Sequence, residues 1–191
     1  MLEALYVTKS RIRQDLLALF FTNPSQKYYL REIERLLGYS AGSLRRELLR
    51  FQEDQLFITQ KVGNLLYYSL NPEHPLFEEL KSIVSKTIGV EGGIRKALSR
   101  IKNIRIAFIF GSFAVSSEKE KSDIDVMIIG EPDMMLLNEK IRELENKLKR
   151  EINTTIYSWS EYREKKKRKS GFIMDLIKSP KIMLVGTEDD L

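Results

Sequence analysis

One order of residues in the second half of the chain restricts its fold more than any other feature. A nearly continuous apolar run, Arg105-Ile106-Ala107-Phe108-Ile109-Phe110, ends abruptly in Gly111-Ser112, and Ser122-Asp123-Ile124-Asp125 then opens a second apolar run that reaches Ile129. Short apolar runs bounded by turn residues read as buried strands. Strand periodicity puts Asp123 and Asp125 on one face and leaves Ile124, Val126 and Ile128 in alternate, buried positions. Two carboxylates side by side on a rigid strand form a hard-oxygen site suited to Mg²⁺. The Gly-Ser corner offers what a triphosphate needs: backbone that can be approached closely, a hydroxyl donor, and the N-terminus of a helix expected to begin near Phe113.

Singly, a Gly-Ser turn and an Asp-x-Asp pair are common. In the order strand, Gly-Ser, helix, loop, Ser-Asp-x-Asp, strand, they resemble the signature of the DNA polymerase β-like superfamily, and especially its minimal nucleotidyltransferases. The resemblance implies a mixed β-sheet with helices over roughly Ile94 to Leu191. It also implies that Gly111, Ser112 and Ser122 bind the nucleotide, that Asp123 and Asp125 are catalytic metal ligands, and that two Mg²⁺ ions act on a nucleoside triphosphate. A protein hydroxyl is the acceptor that minimal nucleotidyltransferases suggest.

Two departures from that pattern stand out. Val115-Ser116 falls where a basic residue and a glycine often follow Gly-Ser, which leaves Lys119 and Lys121 to supply positive charge. Active members also bring a third carboxylate from a later strand. Here a helix expected over Leu136 to Arg150 leads into the β-rich run Glu151 to Tyr157, and Asn153 occupies the acidic position. Glu151, two residues earlier and so on the same strand face, becomes the third catalytic candidate. Without such a carboxylate one metal is held weakly and the nucleophile lacks a base, so a domain that only binds or senses nucleotide is the alternative reading.

The first half of the chain reads as a different domain. Apolar residues at helical spacing predict a helix over Ser10 to Phe21, ended by Asn23-Pro24, and a second over Arg31 to Leu37, ended by Gly38. A third, Ala41 to Gln52, places Leu44, Leu48 and Phe51 on one stripe and Ser43, Arg46 and Arg50 roughly opposite, with Arg45 at the edge. Leu56–Val62 and Leu65–Leu70 flank Gly63-Asn64, a hairpin signal. From Leu30-Arg31-Glu32-Ile33 through Gln55-Leu56-Phe57 the sequence resembles the helix-turn-helix of ArsR-type regulators. That resemblance implies a winged helix: three helices plus a β-hairpin whose third helix enters the major groove of double-stranded DNA. Ser43, Arg45, Arg46, Arg50 and Lys61 are then the DNA contacts, and a homodimer is the usual way to read two half-sites. The bland reading is a docking or dimerisation module with solvated arginines.

The fold class expected is thus α+β with α/β character, divided into a winged helix with its connecting helix over 1–87 and a nucleotidyltransferase domain over 88–191. The junction is placed at Ile88-Gly89-Val90-Glu91-Gly92-Gly93, where three glycines offer pliant backbone. The helix expected over Pro75 to Thr87 fits either domain. The chain contains no cysteine, which excludes disulfides, thiolate catalysis and sulfur-ligated zinc and fits a reducing cytoplasm. Its single histidine, His74, reads as a solvated loop residue. No apolar run approaches the length of a membrane span or a secretory signal. The net charge of +5 suits a polyanionic partner. Cut at Thr87, the chain carries 12 basic and 10 acidic residues before the cut and 20 and 17 after it, so the excess looks unsegregated, and the basic run Lys165–Lys169 reads as a solvated helix face.

Overall fold

The computed structural model describes residues 10–115 and 123–191. The chain divides between Gly92 and Gly93 into two compact units. The first unit carries α1 (Arg11–Thr22), β1 (Tyr28–Tyr29), α2 (Leu30–Leu37), α3 (Ala41–Glu53), β2 (Phe57–Val62), β3 (Leu65–Leu70) and α4 (Phe77–Thr87). Ser10 caps α1 and Ser40 caps α3, each through its hydroxyl, which satisfies an amide that the first helical turn leaves without a partner. β2 and β3 pair antiparallel from Phe57↔Leu70 to Val62↔Leu65, so Gly63-Asn64 is a two-residue turn.

β1 has no counterpart in the sequence reading. Two residues carry no periodicity, and the strand exists only because Tyr28 and Tyr29 find Tyr68 and Tyr67 on β3. The core that results is aromatic. Phe20 is fully buried, with its ring centroid 5.2 Å from Tyr28 and 4.4 Å from Phe57, and Phe57 lies 4.9 Å from Phe51. α4 belongs to this unit: Leu80 and Val84 join its core, and Phe77 contacts Phe21 on α1. Arg13 on α1 binds Glu47 on α3 at 2.8 Å, both largely shielded, which ties the two helices together. His74 lies in the loop before α4, where its Nδ1 accepts from the Leu76 amide at 3.1 Å.

The second unit is built on a four-stranded mixed sheet in the order β6-β5-β4-β7, formed by β4 (Ile104–Phe110), β5 (Ile124–Gly130), β6 (Ile152–Tyr157) and β7 (Ile182–Val185). β4 is antiparallel to both β5 and β7, whereas β5 and β6 run parallel. A parallel pair needs a long crossover. α6 (Met134–Leu148) supplies it, capped by Asp133 and burying Leu137, Ile141, Leu144 and Leu148. α7 (Trp159–Lys167) and α8 (Gly171–Lys178) share the core on the sheet face that displays Ile106, Phe108, Met127 and Ile129.

The glycine-rich junction departs from the sequence reading. Gly92 and Gly93 lie inside α5 (Val90–Leu98), a helix and not a pliant hinge. A Cβ on Gly92 would meet the Thr87 carbonyl oxygen at 2.3 Å, so this glycine permits α5 to start against the end of α4. No helix among the described residues is long and apolar enough to cross a membrane.

These contacts separate two glycines by cause. Gly92→Ala is expected to destabilise the protein by about 1–3 kcal/mol through overpacking against backbone. Gly42→Ala, inside α3 with nothing within 4 Å of the added Cβ, is expected to stabilise it by about 0.5–1 kcal/mol. Urea unfolding of the two variants measures both.

Candidate functional site: a paired-aspartate corner

The site grows from the register of the sheet. Phe110 on β4 stands opposite Asp125 on β5, and Asp125 stands opposite Asn153 on β6. Residues paired across strands share a face, so these three side chains form a row. Ile124 and Val126, between and beyond the acids, are fully buried on the other face. Asp123 immediately precedes β5, exposed, and takes a hydrogen bond from Asn153 Nδ2 to its Oδ2 at 3.1 Å. The two aspartates therefore share a face at one end of the sheet, as their spacing requires.

Gly111 closes the corner. It follows Phe110 with φ +75°, a conformation that favours glycine. A Cβ built there would lie 3.0 Å from Asp125 Oδ2, so the carboxylate rests directly against the glycine backbone. Ser112 is the next residue of the turn. A helix was expected to begin near Phe113, but the described residues 111–115 are turn. Ser122, Lys119 and Lys121 lie outside the described residues.

Glu151 lies, like Asp123, just before its strand. Its side chain is exposed, while its backbone carbonyl accepts from the Ile124 amide at 3.0 Å and holds β5 to β6. Asn153 is the residue of this segment whose side chain meets Asp123. Among the described residues no group of three or more acidic or histidine side chains could hold a metal ion. The corner therefore presents the carboxylates of Asp123 and Asp125, with the Asn153 amide bonded to Asp123.

Two neighbours of the corner were not anticipated. Arg150 is buried to 8% exposure with its guanidinium 5.7 Å from the Phe113 ring centroid, and Phe172 on α8 meets Phe110 edge-on at 6.4 Å. Neither carries a local sequence signal, since a basic residue at a helix end and an apolar residue in a first turn are ordinary.

On the first unit, Arg45, Arg46 and Arg50 are exposed along α3. Arg50 shares Glu47 with Arg13, at 3.2 Å. Ser43 is half-buried, and its amide and hydroxyl both meet Ser40 Oγ at the N-cap. Lys61 is exposed on β2 opposite Leu66, beside an apolar hairpin end where Val62 and Leu65 are 55% and 42% exposed.

The second unit is thus a mixed sheet in which the turn at Gly111-Ser112 meets the strand that begins with Asp123-Ile124-Asp125. Residues 93–183 match the family described as polymerase beta, nucleotidyltransferase, so the second unit carries a domain of that kind. A toxin-antitoxin crystal structure with AMP-PNP is similar at 21% identity over 52% of this chain and 76% of that chain, with a TM-score of 0.39. A mutant of the toxin-antitoxin pair MntA-HpeT is similar at 19% identity over 52% and 75%, with a TM-score of 0.38. No curated protein matches the chain.

The steric contact at the corner is testable alone. Gly111→Ala is expected to cost about 1–2 kcal/mol for its left-handed backbone, with more from collision with Asp125. In an Asp125→Ala background the collision disappears and the cost should drop towards the backbone value. Additivity of the two substitutions in urea melts would refute the contact.

Proposed function

We propose that the second unit transfers a nucleotide from a nucleoside triphosphate to an acceptor hydroxyl, with Asp123 and Asp125 as metal ligands and Gly111 and Ser112 as the phosphate-holding turn. The observation that supports this reading is the closeness of the Asp125 carboxylate to Gly111, the arrangement that a metal ligand beside a phosphate-holding turn would need. The donor set fits Mg²⁺, a hard cation that takes one or two carboxylates together with substrate phosphates. When bound, the metal supplies neutralisation of charge on the polyphosphate. Asp123 and Asp125 would hold it, and the Gly111 backbone would permit the close approach of a phosphate that a side chain would block.

In the transfer, the acceptor oxygen bonds to the α-phosphorus, the bond to the bridging oxygen of the departing pyrophosphate breaks, and the acceptor proton leaves to a base. Asn153 cannot be that base, because its amide carries no basic lone pair and donates to Asp123. The minimal-nucleotidyltransferase reading makes a protein hydroxyl the acceptor, with Glu151 and Ser122 as further candidates for base and nucleotide contact.

We further propose that the first unit is a winged helix that binds double-stranded DNA through α3. The three helices, the antiparallel hairpin and the exposed arginines of α3 support this. The same reading includes the homodimer and the cytoplasmic setting, with the domains meeting inside the glycine-rich stretch 88–93, where the two compact units divide. One observation favours a second reading, a DNA-bound regulator that senses nucleotide without turnover: the Asn153 amide already engages Asp123 in the place of a third carboxylate.

Incubation with labelled nucleoside triphosphates and Mg²⁺ decides between them. The enzyme reading expects label transfer or pyrophosphate release that Asp123→Ala and Asp125→Ala each reduce at least ~100-fold, a size typical of losing a group essential to the chemical step. Asn153→Asp is expected to tighten Mg²⁺ binding roughly tenfold or more by completing the cage. Nucleotide binding without turnover in both the native protein and Asn153→Asp would favour the sensor; no nucleotide binding at all would refute both. For the first unit, Arg46→Ala should weaken duplex DNA binding by about 1–3 kcal/mol and flatten its salt dependence, and an unchanged affinity would remove α3 from the interface.

A further inference from the structure

The net charge of this protein is concentrated in one supersecondary element. The segment from Trp159 to Lys181, containing α7 and α8, has eight basic and three acidic residues, and the rest of the chain has 24 of each, so this segment alone accounts for the +5. Splitting the chain into halves hides that, because the acids of the second half lie elsewhere. Two of the three local acids are also engaged. Glu161 accepts from the Ser158 amide at 2.8 Å in a capping box, and Glu164 pairs with Arg168 at 2.6 Å.

The cations are set among aromatic rings. Arg105 and Arg163 place their guanidiniums 4.9 and 6.0 Å from the Trp159 ring centroid, and the Lys165 ammonium lies 5.1 Å from that of Tyr157. Trp159 itself stacks on buried Tyr162 at 5.8 Å, so the base of the cluster is anchored in the core. Arg163, Lys166 and Lys167 border a cavity of about 730 Å³ beside Trp159. Lys166 reaches the Leu191 carbonyl, whereas Arg163, Lys167 and Lys169 stay exposed. Three residues beyond Lys169, Phe172 keeps 47% of its surface exposed while its ring rests on Phe110, the residue opposite Asp125.

We infer that the α7–α8 hairpin of the second unit is a binding surface for a single-stranded polynucleotide. A run of cations tracks a phosphodiester backbone, and an exposed ring next to it offers a stacking surface to an unpaired base. Rings already covered by arginine, such as that of Trp159, do not stack with bases but hold the guanidiniums in place. An acidic protein would satisfy the charge but would leave Phe172 without a flat partner. The inference is independent of nucleotide transfer, since it uses neither aspartate.

The test is fluorescence anisotropy of the full chain with a labelled single-stranded RNA, the matching DNA strand and the DNA duplex. The double variant Lys167→Glu/Lys169→Glu reverses two exposed charges; Lys169 already has φ +51°, so glutamate adds no backbone demand of its own. It should weaken single-strand binding at least tenfold and lower the slope of log affinity against log salt by about 1.4, about 0.7 for each lost phosphate contact. Phe172→Ala should weaken it roughly tenfold without changing that slope. Trp159, the single tryptophan of the chain, should change its emission as the strand binds. An unchanged thermal midpoint in the double variant keeps the loss from being one of folding. The inference is overturned if the double variant binds single strands as the native protein does, if Arg45→Ala/Arg46→Ala on α3 accounts for that binding instead, or if poly-glutamate or free ATP displaces the strand as well as unlabelled RNA does.

Discussion

The contact between Gly111 and Asp125 is the constraint on which the second unit depends. Pairing of β4 with β5 brings Phe110 opposite Asp125, and the turn that leaves β4 must then pass over a carboxylate. A glycine suits that turn twice over: its backbone is left-handed, and a Cβ added there would stand only 3.0 Å from Oδ2. Any slip of the register by one residue would turn Asp125 to the face where Ile124 and Val126 are buried, and would put an ionised group among isoleucines. The packing of the sheet thus protects the placement of the acids.

The third position of that corner shows how the same register limits what the site can do. β5 and β6 are held parallel by the Glu151 carbonyl and the Ile124 amide, and this pairing presents Asn153, not Glu151, to Asp123. A neutral amide satisfies one carboxylate lone pair without adding charge. The arrangement tolerates two close acids by hydrogen bonding instead of by a third ligand, which sets the metal-binding strength of the proposed reading at its low end.

The two units handle charge differently. In the first, arginine and glutamate are interleaved, and Glu47 serves both Arg13 and Arg50. In the second, α7 and α8 gather cations on their outer side while Tyr162, Ile173 and Leu176 fill the core beneath. Such an element costs self-repulsion, and the rings of Trp159 and Tyr157 offset part of it.

Much of this was legible in the sequence because it depends on local pattern. The helices of the first unit follow a hydrophobic period of 3.6, the central strands of the sheet are short continuous apolar runs, and the Asp123/Asp125 face follows from the alternation of side chains along a strand. What pattern could not supply are relations between distant segments. β1 exists only as a partner of β3, Gly92 and Gly93 serve helix packing where their composition suggested a hinge, and residues 111–115 form a turn where a helix was expected. The sequence by itself determined which residue types are available, two acids flanking an isoleucine and a glycine before a serine. Tertiary structure decided which of them touch, because strand register and backbone clearance are properties of pairs of segments that no single segment encodes.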